Sequence, residues 1–272
     1  MITVAVSGAA GRMGREVVRA LSKTMDLKLV AAIDMMETGE DAGKTAGIGE
    51  NGVLIGNSLA DAFTQTKPQI MIDFSVPSAV LSNALLAIDN GISPVIGATG
   101  LSEQDLQVIN QSAGQKGIPA FVAPNFAIGA VLMMQFSVTA ARYLPDVEVI
   151  EMHHDRKVDS PSGTALLTAQ RIGEARLKAG ISPVEPPANL VEKAPGARGA
   201  SSQVTGNVPV HSVRLPGFVA SQEVIFGGPG QTLTLRHDSL DRLSFMPGVV
   251  LAAQKVLSLP IGLTIGLEAL LV

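Results

Sequence analysis

Ile2-Thr-Val-Ala-Val-Ser-Gly-Ala-Ala-Gly-Arg-Met-Gly14 is the stretch that decides the fold. An apolar run of strand character enters a turn with glycine at positions 8, 11 and 14, and apolar residues then recur at helical spacing from Arg12 to Thr24. A strand, a glycine turn and a helix in that order form the usual grip on a dinucleotide. Glycine allows a tight turn and close backbone approach to the diphosphate, while the helix start offers free N–H groups and the positive end of its dipole. The spacing is G-x-x-G-x-x-G, with Ala10 where the second glycine usually stands, so a turn that merely lets strand and helix pack closely is the competing reading. The next strand, Leu27–Ile33, ends at Asp34, about twenty residues past the turn, where an acid accepts hydrogen bonds from the adenosine ribose. A carboxylate there repels a 2′-phosphate and favours NADH. Arg12 could compensate by pairing with that phosphate, so NADPH stays open.

The alternation continues outward. Gln69–Phe74 reads as a strand, with Pro77 at the first position of a helix running to about Asn90. Pro94–Ile96 is a strand closing on Gly97–Gly100, Ser102 opens a helix with acids in its first turn, and Ile118–Val122 is the next strand. This succession predicts an α/β fold, a Rossmann-type parallel sheet with helices on both faces. The ends of the later strands, Gly97-Ala98-Thr99 and Ala123-Pro124-Asn125-Phe126, should line the nicotinamide crevice, unless they are simple turn chemistry.

After Asn125 the rhythm changes. An apolar helix over Ile128–Arg142 leads to a strand, Val147–Glu151, and Thr164–Ala179 is a helix that Gly180 ends. Pro and Gly make Ile181–Ser202 a long irregular loop, and Val210–Arg214, Glu223–Phe226 and Thr232–His237 are short strands of an antiparallel or mixed sheet. A last helix spans about Asp241–Leu257. The expected division is a dinucleotide-binding domain, residues 1–126 completed by 241–272, and an inserted α+β domain with a mixed sheet, residues 127–240, for substrate. The apolar tail Ile261–Val272 should pack on the body or on a partner subunit.

Composition narrows the function classes. A net charge of −4 gives no general attraction to nucleic acid, and no apolar run approaches the length of a membrane span. No cysteine is present, which removes disulfides, thiolate metal sites and cysteine nucleophiles. The N-terminus enters a strand without the pattern of a signal peptide, so a soluble, cytoplasmic protein is expected.

The second informative stretch is Glu151-Met-His-His-Asp-Arg-Lys-Val-Asp-Ser-Pro-Ser-Gly-Thr-Ala165, with two of the four histidines. His153 and His154 end a strand, so their side chains begin on opposite faces. Lys157 carries a positive charge and three donors and could clamp a carboxylate or give a proton; a solvated loop lysine is the bland alternative. Ser162-Gly163-Thr164 at a helix start would present backbone N–H groups and a hydroxyl to a carboxylate, or serve only as local capping, with Asp159 or Ser160 as the cap and Pro161 in the first turn. Adjacent histidines chelate awkwardly and no H-E-x-x-H motif appears, so no metal is expected. The two stretches together point to hydride transfer to a carboxylated substrate. Another two-domain NAD-dependent dehydrogenase and a non-catalytic NAD-binding redox sensor are the alternatives.

The second stretch meets every fixed position of E-x-H-H-x-x-K-x-D-[AS]-P-S-G-T-A, and so resembles the signature of the dihydrodipicolinate reductase (4-hydroxy-tetrahydrodipicolinate reductase) family. The resemblance extends through Gly8–Gly14, Asp73-Phe74, Gly97–Gly100 and Ala123–Phe126, in order along nearly the whole chain. It implies a reductase of the diaminopimelate route to lysine that uses NADH or NADPH on a small dicarboxylate, with a Rossmann-type domain and a mixed-sheet domain that builds a homotetramer. It further implies that His153 is the acid/base residue and Lys157 the proton donor, and that His154, Ser162, Gly163 and Thr164 contact substrate. Gly8, Ala9, Ala10, Gly11, Arg12, Met13, Asp34, Gly97, Ala98, Thr99, Ala123, Pro124, Asn125 and Phe126 match the cofactor contacts. Ala98 replaces a common threonine and Asp34-Met35 an acid–arginine pair, which sets NADP use in doubt; nothing is carried over to 185–209.

Overall fold

Seven short strands assemble into one parallel sheet, and the central ones, rich in Val, Ile, Ala and Met, are buried on both faces. The computed structural model describes residues 1–181, 188–194 and 196–271. The strands are β1 (Ile2–Ser7), β2 (Leu27–Ile33), β3 (Ile55–Gly56), β4 (Ile70–Asp73), β5 (Ser93–Ile96), β6 (Pro119–Val122) and β11 (Gly262–Ile265). They lie in the order β11-β6-β5-β4-β1-β2-β3, every neighbour parallel. The order reverses between β1 and β4, which is where such sheets bind ligands. Ala5, Ala31, Ile33 and Met71 point to one face and share a core cluster with Phe63 of helix α3 (Leu59–Thr66) and Ala87 of α4 (Val80–Asp89). By alternation Val4, Val6, Ile70 and Ile72, none of them exposed, point to the other. Helix α4 packs on α5 (Glu103–Lys116), and α1 (Arg12–Ser22) packs on α8 (Met246–Lys255). The chain divides into one unit of Met1–Ile128 with Arg242–Val272 and a second of Gly129–Asp241.

The second unit contains a mixed four-stranded sheet, order β10-β9-β7-β8. Strands β7 (Asp146–His153) and β8 (Val210–Arg214) are parallel; β9 (Ala220–Gly228) is antiparallel to β7 and to β10 (Gln231–Ser239). Its core face takes Val147, Val149, Val210, Val224 and Phe226, and helix α7 (Gly163–Lys178) covers them with Ala165, Ala169, Ile172 and Ala175 at helical spacing. Met133 of α6 (Ile128–Ala140) joins the same cluster. Along β7 this inward row runs Val147, Val149, Glu151, His153, so it changes from apolar to ionisable at the strand's end.

Several local expectations are corrected. Pro77 does not open α4: Ala79 and Val80 donate to the carbonyl of Val76, so Pro77 sits in a turn that precedes the helix. The cap of α7 is Ser162, which accepts from the Ala165 N–H at 3.2 Å, rather than Asp159 or Ser160. Pro161 stands before that cap, joined to Ser160 by a cis peptide. The apolar tail does pack on the body, as expected: Gly262–Ile265 form the edge strand β11 beside β6, and Leu267 and Leu270 are buried. The short segments α2 (Ala42–Thr45), β3 and α3 had no expected counterpart. The expected irregular loop over 181–202 includes residues 182–187 and 195, which lie outside the described residues. Among the described residues no helix is long and apolar enough to cross a membrane.

Candidate active site

In the first unit the ends of β1, β4 and β5 converge on Phe74. Gly8 has φ +78°, and a Cβ there would lie 2.6 Å from the Phe74 carbonyl oxygen. A Cβ on Gly97 would meet the Phe74 ring at 2.3 Å, and Phe126 packs against the same ring with centroids 5.9 Å apart. Gly97 and Ala98 are fixed by donating to the Asp73 carbonyl, and the Asn125 carboxamide oxygen accepts from the Ala127 N–H at 2.8 Å. Ala9, Ala10, Ala123 and Phe126 are buried, whereas Gly11, Arg12, Thr99 and Pro124 are exposed and Met13 half-buried. Gly14 shows why the third glycine is required: a Cβ there would approach the Gly8 carbonyl oxygen to 2.0 Å, forcing helix and turn apart.

The start of α1 differs from those of α3, α5 and α7, which each have a serine cap. Its cap position is Gly11, with no side-chain hydrogen bond and no acid in the first turn. Free N–H groups and an unopposed dipole end are what a diphosphate needs, so the residues present fit a dinucleotide. At the end of β2, Asp34 accepts from the Ala10 N–H (Oδ2, 2.9 Å) and the Met36 N–H (Oδ1, 2.9 Å). Arg15 donates from Nε to the Ala10 carbonyl at 2.7 Å and from Nη2 to Glu37 Oε1 at 2.6 Å. Asp34 and Arg15 thus hold both sides of Ala10, and the Arg15 guanidinium is already paired.

In the second unit His153, Ser162 and Arg214 gather about one carboxylate, that of Glu151, fully buried near the end of β7. Glu151 Oε2 meets His153 Nδ1 at 2.5 Å and accepts from Arg214 Nη1 at 2.8 Å. Glu151 Oε1 accepts from Arg214 Nη2 at 2.7 Å and from the Ser162 N–H at 3.2 Å. Burial alone would push this carboxyl up, but hydrogen bonds from His153, Arg214 and Ser212 outweigh it and hold the pKa down to about 2. The guanidinium also donates to the carbonyls of Asp159 (2.7 Å) and Val213 (2.8 Å). Its own pKa is raised, chiefly by the bond to Glu151.

Not every expected residue joins this cluster. His153 is half-buried in it, whereas His154 is exposed. Lys157 places Nζ 2.6 and 2.8 Å from the two oxygens of Asp159, so its charge is shared with that carboxylate. Ser162 is buried, its N–H given to Glu151 and its Oγ to the cap, which leaves Gly163 and Thr164 as the first free amides of α7. Glu151 and Arg214 had no role in the sequence reading. For Glu151 the signal was there, since residues two apart on a strand share a face; for Arg214 only the register of β7 and β8, which sets it opposite His153, reveals the partnership.

Known proteins resemble the chain over its whole length. The family model described as dihydrodipicolinate reductase, N-terminus, matches residues 2–126, and its C-terminal counterpart matches 129–271. The chain is 50% identical over 270 residues to the 4-hydroxy-tetrahydrodipicolinate reductase of Moorella thermoacetica, covering 99% of this chain and 98% of that protein. A solved structure, dipicolinate-bound dihydrodipicolinate reductase from Paenisporosarcina sp. TG-14, superposes with a TM-score of 0.85 at 42% identity and covers 99% of both chains. An amine dehydrogenase from Mycobacterium smegmatis, at 17% identity and TM-score 0.64 over 97% of this chain and 94% of its own, shares the fold alone. With half of the aligned positions identical to a named reductase and the two family models together matching nearly all of its residues, this chain belongs to the dihydrodipicolinate reductase family.

Proposed function

We propose that the protein reduces 4-hydroxy-tetrahydrodipicolinate to tetrahydrodipicolinate in lysine and diaminopimelate biosynthesis. One NAD(P)H and one proton are consumed, and the ring hydroxyl leaves as water. The observation that carries this reading is the pairing of His153, anchored by Glu151, with the free Gly163 and Thr164 amides at the head of α7 in one short segment. A reduced nicotinamide, when bound, supplies the hydride for the ring carbon. The remaining chemistry belongs to side chains and amides of this chain. Gly163 and Thr164 offer N–H groups and a dipole end to one substrate carboxylate. Lys157, drawn partly from Asp159, and His154 hold the other. His153, with Nδ1 engaged, delivers a proton from Nε2 to the enamine carbon left by hydride addition, which restores the ring C=N, with Lys157 as the second donor. The decisive assay follows NADH oxidation with the condensation product of pyruvate and aspartate semialdehyde. Turnover of aspartate, homoserine or a sugar instead would favour another dehydrogenase, and nucleotide binding without turnover of any of them would favour the sensor.

The finer parts of the reading rest on the same groups. Residues 1–126 with 241–272 form the dinucleotide domain, through Gly8–Met13, Asp34, Gly97–Thr99 and Ala123–Phe126. Residues 127–240 bind substrate and build the homotetramer of a cytoplasmic enzyme. NADH is the preferred donor: Asp34 and Glu37 are both carboxylates, and Arg15, a cation that a 2′-phosphate would need, is bound to Glu37. Calorimetric titration of both dinucleotides in the absence of substrate tests this. Tighter binding of NADPH than of NADH would reject it.

A further inference from the structure

We propose that Glu151 is a positioning residue of the reaction, which fixes the ring of His153 with Nδ1 as donor and ties it to the amide corner at the head of α7. The proposal rests on the reading of His153 and Gly163–Thr164 given above.

One carboxylate here satisfies three elements at once. Oε2 takes His153, two residues along on the same face of β7; Oε1 takes the N–H of Ser162, the residue that caps α7; both oxygens take Arg214 of β8. The distance between the ring and the Gly163–Thr164 amides is therefore set through Glu151 rather than through a flexible loop. A carboxylate that bonds one imidazole nitrogen also selects the tautomer, which leaves the other nitrogen for chemistry. The row Val147, Val149 shows that this face of β7 accepts apolar residues, and an apolar side chain at 151 would avoid burying a charge. A buried ion pair at the point where the row reaches His153 is better explained by what it holds.

The charged groups around Glu151 make the proposal testable by direction. Arg214 faces it from β8, His153 from its own strand, and the Lys157–Asp159 pair lies in the connecting loop, with the Asp159 carbonyl on Arg214. Across β9, opposite Glu151, stands Gln222, uncharged, which donates to Thr168 of α7. In Glu151→Gln the arginine remains beside His153 without its carboxylate, which disfavours a protonated ring. In Arg214→Met the carboxylate remains without its arginine, which favours one.

The test joins kinetics with a measurement on the unaltered enzyme. Glu151→Gln should lower kcat by on the order of 10²-fold, the lower end of what a positioned general acid supplies, with a smaller change in KM. The alkaline limb of its kcat/KM profile should move to lower pH, and that of Arg214→Met to higher pH. In a His153→Gln background, Glu151→Gln should cost little more. Ring-nitrogen NMR shifts of the wild type, assigned by comparison with His153→Gln, should show the neutral ring protonated on Nδ1. Profiles that move the same way or stay still, fully additive losses, or a ring protonated on Nε2 would each overturn the proposal. If Glu151→Gln does not fold, the NMR measurement and Arg214→Met still decide. Near wild-type kcat/KM in His153→Gln alone would instead reject the parent reading, and the NMR result would still report whether Glu151 holds the ring.

Discussion

The strand period sets His153 and His154 on opposite faces without choosing between them; the family resemblance made that choice, and neither reading showed what surrounds His153. E-x-H on one strand face was legible as a period of two, yet a glutamate inside a strand usually reads as a solvent-facing position. The guanidinium that neutralises it comes from Arg214, sixty-three residues away, on a strand whose register no local pattern reveals. Lys157 likewise looked like a free cation and is bound to Asp159. Two outcomes belong to this scale. His153→Gln should reduce kcat by about 10²–10⁴-fold with a modest change in KM, measured by NADH oxidation at saturating dinucleotide. Glu37→Gln should release Arg15 and narrow the NADH-to-NADPH ratio of dissociation constants by about tenfold, equivalent to ~1.4 kcal/mol, read by calorimetry without substrate. No narrowing would mean that Arg15 never reaches the 2′ position.

Among elements, those with a start signal and a clear period were readable, and those that exist by neighbourhood were not. Ser102 announces α5 because hydroxyl and Asp105 form a reciprocal cap, and β2 was located to the residue. Strand β3 has two residues, too few for any alternation, and forms because β2 offers an edge. Pro77 does start a turn, with Ala79 and Val80 both donating to the Val76 carbonyl, but the regular helix begins three residues later, at Val80. At the head of α7, Ser162→Ala should remove the cap while sparing the backbone N–H that bonds Glu151, lowering stability by about 1 kcal/mol in denaturant titration. The Glu151 cluster also makes an acid-sensitive joint between β7, β8 and α7. Its carboxyl titrates at about 2 in the folded protein against 4.5 as its ordinary value, so the stabilisation it brings is complete above 4.5 and is lost as pH falls toward 2. Melting temperature should drop across that window in the wild type and less steeply in a folded Glu151→Gln protein; equal slopes would assign the acid sensitivity to other groups.

For the molecule as a whole, the first unit is discontinuous in sequence: residues 242–272 rejoin residues 1–128 after the second unit has intervened. The return helix α8 was foreseen from its period, but β11 was not, because Gly262-Leu-Thr-Ile reads as an apolar tail until β6 is seen to need a neighbour. Light scattering of the purified chain should give four copies per particle; a monomer at micromolar concentration would contradict the homotetramer. The late position of β11 has a further consequence for how the chain is made. While it is still emerging from the ribosome, strands one to six can pair, but β6 keeps an open hydrogen-bonding edge until residues 262–265 have been synthesised. A stop codon just before Gly262 would make that transient exposure permanent, turning a biosynthetic enzyme into a seed for edge-to-edge association.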